Sequence, residues 1–173
     1  AATAEVSAFW TSFSILGRGF FYSILLHFVM ILTKTESRMD RRLMLTLIYI
    51  PAWINIILFS PFGYFAESQY HMAQTDFGWV SVLPINPGRI WFIAYYSIFS
   101  IASVAVLVRW WRRIEPDTPL KRQATYFLLS VLFPFFAGMA TDMLPEVLGK
   151  NTFPKLTIIF MMIPVSTIFI ISR

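Results

Sequence analysis

The chain has 173 residues, of which 57% are hydrophobic and 13% are charged, with a formal net charge of +5 and no cysteine. Soluble domains carry about 45–50% apolar and about 25% charged residues, so this composition excludes an ordinary soluble domain and indicates a membrane protein. The lack of cysteine excludes disulfides, thiolate metal sites and cysteine nucleophiles. Basic residues on one side of a membrane explain the positive charge, and no nucleic-acid partner is predicted.

Five apolar segments are each close to the length of about 20 residues that crosses a bilayer as a helix. In chain order they are residues 8–32, 43–60, 90–108, 121–148 and 156–172. No internal repeat divides them. We therefore predict an all-α fold, with residues 1–173 forming one polytopic membrane bundle of five transmembrane helices and a long outer loop at 61–89.

The distribution of lysine and arginine predicts the orientation. Segments 33–42 and 109–122, together with Arg173, contain ten of these residues, whereas the segments on the opposite side contain three. Cytoplasmic loops are enriched in lysine and arginine, so the C-terminus is predicted in the cytoplasm and the loop 61–89 outside. Residue 1 is then also outside, which predicts an even number of further helices upstream.

Arg18 is the most unusual residue, because an ionised side chain in a spanning helix costs roughly 2.5–3.5 kcal/mol at the bilayer centre and normally faces a partner or a cavity. At about 1.5 Å per residue, Arg18 lies about 24 Å from Lys34, and Asp142 lies about 30 Å from Lys121. Both therefore lie in the outer part of the membrane. Alternatively, Arg18 extends outward to the headgroups.

The first interpretation predicts a ligand site in which Arg18 and Asp142 line a polar pocket beneath the outer loop. A guanidinium group in such a pocket suits a small anionic or amphipathic ligand. Aromatic side chains of the loop and its flanks are predicted to cover the pocket: Tyr64, Tyr70, Trp79 and Trp91.

Two further polar residues lie inside predicted helices. His27 and Asn55 are single polar side chains in apolar surroundings, and such side chains usually make hydrogen bonds between helices. The other histidine, His71, belongs to the outer loop, so it cannot share a metal with His27. Neither a metal site nor a cofactor is predicted.

Prolines interrupt three of the predicted helices. Each removes a backbone donor and kinks its helix, either as a hinge for signal transfer or simply to shape the bundle. They are Pro51, Pro134 and Pro164. The sequence contains no glycine-rich phosphate loop and no metal-spaced His/Glu set, so no catalytic residue is predicted. The lack of a carboxylate in the middle of a span argues against a pump.

Several motifs resemble a known family. Residues 23–29 (Ser-Ile-Leu-Leu-His-Phe-Val) are similar to a helix with a Leu-His-Phe signature, and residues 47–52 to the helix that follows it. Residues 76–80 resemble a Gly-Trp element of an outer loop, and residues 109–123 and 138–145 a basic loop and a Thr-Asp helix end. In this order the motifs resemble the seven-helix membrane sensor region of bacterial histidine kinases and diguanylate cyclases.

The resemblance implies that the chain corresponds to helices three to seven of a sensor in the bacterial inner membrane, with the output domain beyond residue 173. The chain itself would be non-catalytic. It would detect an extracytoplasmic or membrane-borne stimulus and relay it through the helix at 156–172 to a cytoplasmic output domain, with the lipid bilayer and a second copy as partners. The alternative is a structural subunit of a redox or photosynthetic complex, in which 18 Phe, 7 Tyr and 6 Trp contact lipid, quinone or pigment.

Overall fold

The computed structural model describes residues 3–35, 40–63, 71–75, 78–82, 87–138, 140–141, 157–160, 162–163 and 166–167. The chain divides into two compact units, Ala1–Ser103 and Val104–Arg173. In chain order the elements are α1 (Ala4–Phe13), α2 (Ile15–Leu32), α3 (Arg41–Phe59), β1 (His71–Thr75), β2 (Gly78–Val82), α4 (Pro87–Arg113), α5 (Pro119–Gly138) and α6 (Thr157–Phe160). The fold is mostly helical, as predicted.

Three stretches of described helix are long and apolar enough to cross a membrane. They are Ala4–Leu32, Arg41–Phe59 and Pro87–Arg113. In the most apolar 18 residues of each helix, only 22% of the residues are buried within the protein. Most residues in these parts of the helices are therefore available to contact lipid. The other two predicted spans, 121–148 and 156–172, are described only in part and stay predictions.

The first predicted helix is two helices, α1 and α2, separated by Ser14. Thr3 caps the start of α1, because its hydroxyl oxygen accepts a hydrogen bond from the backbone N–H of Val6 at 3.4 Å. At the other end of α1, the Ser14 N–H donates to Trp10 O at 2.9 Å. The helix therefore begins four residues before the predicted boundary at residue 8.

The core of the first unit lies between α2, α3 and α4. Val29 of α2, Ala52 of α3 and Tyr95 of α4 are each no more than 2% exposed. Aromatic pairs extend the contact, since the Phe20 and Trp53 rings meet edge to face with centroids 5.2 Å apart. In an apolar solvent such close packing, rather than hydrophobic burial, holds helices together.

The described part of the outer loop contains a β-hairpin that the helical prediction did not include. Strands β1 and β2 pair antiparallel, with His71 opposite Val82 and Thr75 opposite Gly78. Gly78 has φ of 103°, a conformation that favours glycine. The hairpin packs against α1. We call the end of α3 and the start of α4, which this loop joins, the hairpin end of the helices.

In the second unit, α5 buries one face. Five of its six buried residues recur at intervals of three or four, as a single helical face requires: Ala124, Phe127, Val131, Pro134 and Gly138. Ser130, the sixth, lies beside Val131 on the same face. The helix packs against α6, where the rings of Phe133 and Phe160 meet with centroids 5.5 Å apart.

The two glycines that flank Arg18 provide a test of the packing between α2 and α3. A Cβ atom at Gly19 would lie 3.5 Å from Asn55 Cβ, whereas a Cβ at Gly17 would have no atom within 4 Å. We expect Gly19→Leu to destabilise the first unit by about 1–3 kcal/mol, since a large side chain there forces the helices apart.

The matched control is Gly17→Leu, which adds the same side chain at an open position. The measurement is thermal unfolding of the purified protein in detergent. Equal unfolding temperatures for the two variants would contradict the packing described here.

Candidate functional site

A buried polar cluster joins the three helices of the first unit. The Ser23 hydroxyl of α2 donates to Ile48 O of α3 at 2.6 Å. The Tyr95 hydroxyl of α4 donates to Gly19 O of α2 at 2.7 Å. The two hydroxyl oxygens are themselves 2.9 Å apart. At about 1.5 Å per residue, Ser23 lies about 14 Å from Leu32, near the middle of a membrane about 30 Å thick.

The cluster has fewer hydrogens than contacts. Each hydroxyl carries one hydrogen, and a carbonyl oxygen only accepts. When Ser23 donates to Ile48 O and Tyr95 donates to Gly19 O, no hydrogen remains for the 2.9 Å contact between the hydroxyls. One of three short contacts is therefore always without its hydrogen. The hydrogens can be arranged in three ways, all of them between the same helices.

Local sequence explains why the cluster forms here. Gly19 has no side chain, so α3 can approach α2 closely, and the Gly19 carbonyl is open to Tyr95. Pro51 lacks an N–H and cannot donate to the carbonyl one turn before it, at Leu47. Ser23 supplies a donor to the adjacent carbonyl of Ile48. This bond joins α2 to α3 beside the proline, whereas Leu47 O is the carbonyl from which Pro51 removes a donor.

Asn55 lies near the hairpin end of α3, and its side chain is completely buried. Its Oδ1 accepts a hydrogen bond from Trp91 Nε1 of α4 at 3.0 Å. Its Nδ2 has no hydrogen-bond partner in the part of the chain that the structure describes. Turning the amide over would place two donors against each other, so the observed orientation is the favourable one.

A buried donor without an acceptor is costly. Leaving one unsatisfied costs about 1–3 kcal/mol. Asn55 is four residues from the last residue of α3, or about 6 Å along the helix. The structure therefore places a buried donor close to one end of α3, beside the indole of Trp91.

His27 also joins two helices. Its Nδ1 lies 2.9 Å from the Tyr49 hydroxyl, linking α2 to α3. The two rings meet edge to face, with centroids 5.7 Å apart. The described residues contain no group of three or more His, Cys, Asp or Glu side chains that could hold a metal ion.

Arg18 is exposed, and its contacts are local. Its Nη2 donates to Thr11 O at 2.9 Å and to Ser14 Oγ at 2.6 Å. The Ser14 hydroxyl in turn donates to Thr11 O at 2.7 Å. Arg18 therefore stabilises the break between α1 and α2. Asp142 lies outside the described residues, so its pairing with Arg18 stays a prediction.

The other residues predicted as pocket or hinge residues lie in different elements or outside the described residues. Trp79 is half-exposed in β2, Pro51 lies inside α3, and Pro134 is buried inside α5. Tyr64, Tyr70 and Pro164 lie outside the described residues. Of the predicted pocket, the structure describes Arg18, Trp79 and Trp91, and it brings Trp91 to Asn55.

Comparison with known proteins identifies the family of this chain. The model of a family described as the N-terminal 7TM region of histidine kinase matches residues 1–172. The chain belongs to this family. It is a transmembrane sensor region of signal transduction, and the matched family is a sensor region rather than a catalytic domain. No curated protein and no solved structure matches the chain.

Sequence reasoning identified His27 and Asn55 as polar residues of the helices but missed Ser23 and Tyr95 of the buried cluster. Gly19, Ser23 and His27 follow one another at intervals of four, so they form one stripe along α2. A stripe of small and polar residues in a membrane helix indicates a face that packs closely on another helix. That spacing was the available signal for Ser23. Tyr95 has no comparable local signal, because it depends on how α4 is rotated.

A double-mutant cycle tests which arrangement of hydrogens the cluster adopts. The variants are Ser23→Ala, Tyr95→Phe and their combination. When each hydroxyl gives its hydrogen to a helix carbonyl, the two side chains share no hydrogen, and we expect the coupling free energy between them to be near zero.

The measurement is reversible unfolding in mixed micelles. Polar pairs between membrane helices that do share a hydrogen have coupling energies averaging about 0.6 and reaching about 1.7 kcal/mol. A coupling of about 1 kcal/mol or more would show that the two hydroxyls share a hydrogen and would contradict the arrangement in which both donate to carbonyls.

Proposed function

We propose that this sensor region detects a stimulus at its hairpin end and relays it through the packing of α2, α3 and α4 to a cytoplasmic output domain. The observation that carries the proposal is the buried amide of Asn55, whose Nδ2 has no acceptor among the described residues. A membrane helix that needed only stability would favour an apolar side chain at that position, because a half-satisfied buried polar group is unfavourable.

In this proposal, the unsatisfied donor of Asn55 allows the helices of the first unit to adopt two packing states. A ligand changes an equilibrium only by binding one state better than the other. An acceptor that pairs with Asn55 Nδ2 recovers about 1–3 kcal/mol, which corresponds to a roughly 5- to 150-fold change in the ratio of two states. The cluster at Ser23 and Tyr95 can accommodate such a change, because its hydrogens have several arrangements between the same helices.

The surroundings of Asn55 favour an amphipathic ligand. The site is close to a membrane boundary, and Ile56 and Trp91 lie beside it. A molecule with an acceptor group and an apolar body satisfies both the amide and these neighbours. The anionic alternative depends on the pocket of Arg18 and Asp142, which is a separate proposal.

Helix α4 suits a relay. It is one helix of 27 residues from Pro87 to Arg113. Trp91 lies near its first residue and Tyr95 one turn later, so the polar contacts to Asn55 and to Gly19 act on the same helix. From Trp91 to Arg113 the helix extends about 33 Å, which is the thickness of a membrane.

The rest of the proposed arrangement follows from the family and the charge distribution. In it, five helices cross the bacterial inner membrane and the hairpin end faces outward. The C-terminal helix at 156–172 leads to the output domain in the cytoplasm, and two copies associate. The excess of lysine and arginine in segments 33–42 and 109–122 supports this orientation.

Substitution of Asn55 tests the proposal. We expect Asn55→Leu to hold the region in one packing state and to change the basal output of the full-length protein by roughly fivefold or more. The measurement is output activity in membranes containing equal amounts of each variant. The matched control is Thr46→Leu, which makes a similar change at an exposed position of the same helix.

Trp91→Phe provides a second comparison, because it removes only the indole donor to Asn55. Combined with Asn55→Leu, it should add little to the change in output, since the two side chains act together. Wild-type output from Asn55→Leu at wild-type expression would contradict the role assigned to the amide.

A further inference from the structure

The turn between α4 and α5 carries four exposed arginines: Arg109, Arg112, Arg113 and Arg122. We call these four residues the arginine cluster. The first three lie in the last turns of α4 at spacings of three and four, which place them on one face of the helix. The fourth lies in the first turn of α5. Within the described part of the chain, none of the four has an ion pair or a side-chain hydrogen bond.

A set of internal bonds holds the two helix ends together beneath the cluster. Trp111 Nε1 donates to Thr125 Oγ1 at 2.9 Å, linking α4 to α5. The Thr125 hydroxyl donates to Lys121 O at 2.8 Å. Thr118 caps α5, because its hydroxyl oxygen accepts from the Lys121 N–H at 3.1 Å. The arginines therefore project from a fixed turn.

Lys121 serves this turn and not an outside partner. Its ammonium donates to Trp111 O and, at 3.5 Å, to Ile114 O. It also lies over the Trp111 ring, 3.7 Å from the centroid. A cation at these carbonyls satisfies the C-terminus of α4 and opposes its partial negative charge. Lys121 thus makes its contacts within the turn, whereas the four residues of the arginine cluster make no side-chain hydrogen bond or ion pair among the described residues.

The position of the cluster indicates a partner in the membrane. α4 is one of the spanning helices and ends at Arg113, so the cluster lies at the boundary between hydrocarbon and water. Arg109 is about 6 Å deeper than Arg113 along the helix, and the cluster therefore covers the depth of a headgroup. Trp110 and Trp111, both half-buried, are of the residue type that marks this boundary.

The positions of the charged residues in the turn indicate which of them face the membrane. The acids of this turn, Glu115 and Asp117, are exposed and lie beyond the end of α4, in the connection to α5. The arginines lie on the helices themselves, on the membrane side of those acids. Their planar guanidinium groups match phosphate oxygens in pairs, which a lysine ammonium does not.

We propose that the arginine cluster is a binding site for the phosphate headgroup of an anionic phospholipid. Arg109, Arg112 and Arg113 contact the headgroup from α4, and Arg122 contacts it from α5. The inference rests on the membrane location of the chain and not on its signalling role. The bound headgroup holds the α4–α5 turn against the membrane surface, so the anionic lipid content determines how firmly this turn is anchored.

The test uses the full-length protein in phosphatidylcholine membranes with a trace of spin-labelled phosphatidylglycerol or spin-labelled phosphatidylcholine. The motionally restricted fraction of each lipid gives its relative association constant. We expect phosphatidylglycerol to be preferred, and we expect Arg112→Gln with Arg113→Gln to weaken that preference by roughly fivefold for each charge removed.

The matched control is Arg41→Gln with Arg42→Gln, which removes two exposed arginines from the first turn of α3. A smaller loss in this control, with both variants folded by circular dichroism, supports a site at the turn. Equal losses would show general attraction to the surface and would overturn the proposal. Displacement of the lipid by inorganic phosphate at constant ionic strength would also overturn it, because the site would then be one for free phosphate.

Replacing all four residues of the cluster with lysine separates charge from geometry. The four lysines keep the net charge but lose the paired donors of the guanidinium groups. Reduced preference for phosphatidylglycerol in this variant supports phosphate recognition by arginine. An unchanged preference would overturn it in favour of simple charge attraction.

Discussion

The hydrogen bonds from Ser23 and Tyr95 to helix carbonyls are the interactions on which the first unit depends. In a membrane, apolar side chains gain little by leaving lipid for protein, so close packing and polar contacts decide which helices associate. Ser23 joins α2 to α3, and Tyr95 joins α4 to α2. Gly19 allows both contacts, since it has no side chain to hold α3 away or to cover its own carbonyl.

These bonds are incomplete in a way that suits a sensor. The Ser23 and Tyr95 hydroxyls have one hydrogen too few for their contacts, whereas Asn55 Nδ2 carries two hydrogens and has no acceptor among the described residues. A scaffold with every polar group satisfied has one best arrangement and resists change. Here the mismatch lies at the contacts between helices, where a small rotation changes which groups meet. In the proposed function, stability and the response to a stimulus therefore involve the same residues.

The two charged features near the membrane boundaries behave differently. Arg18, the residue that the sequence analysis placed in a ligand pocket, donates to Thr11 O and Ser14 Oγ at the break between α1 and α2. The four residues of the arginine cluster at the turn after α4 have no such local acceptors among the described residues. Arg18, a charged residue within an apolar segment, thus makes its contacts inside that segment. The basic loop, which usually indicates orientation alone, carries the exposed arginines for which we propose a lipid headgroup as partner.

The sequence by itself determined that this chain is a mostly helical membrane protein of a sensor family. Apolar length, composition and short motifs are local properties, and they locate helices without reference to their neighbours. The β-hairpin was missed because its strands are five residues each and are defined by pairing with one another. Only the tertiary structure decided that Asn55 meets Trp91, 36 residues away, and that Tyr95 meets Gly19, 76 residues away. Those contacts depend on how each helix is rotated about its own axis, which apolar length leaves open.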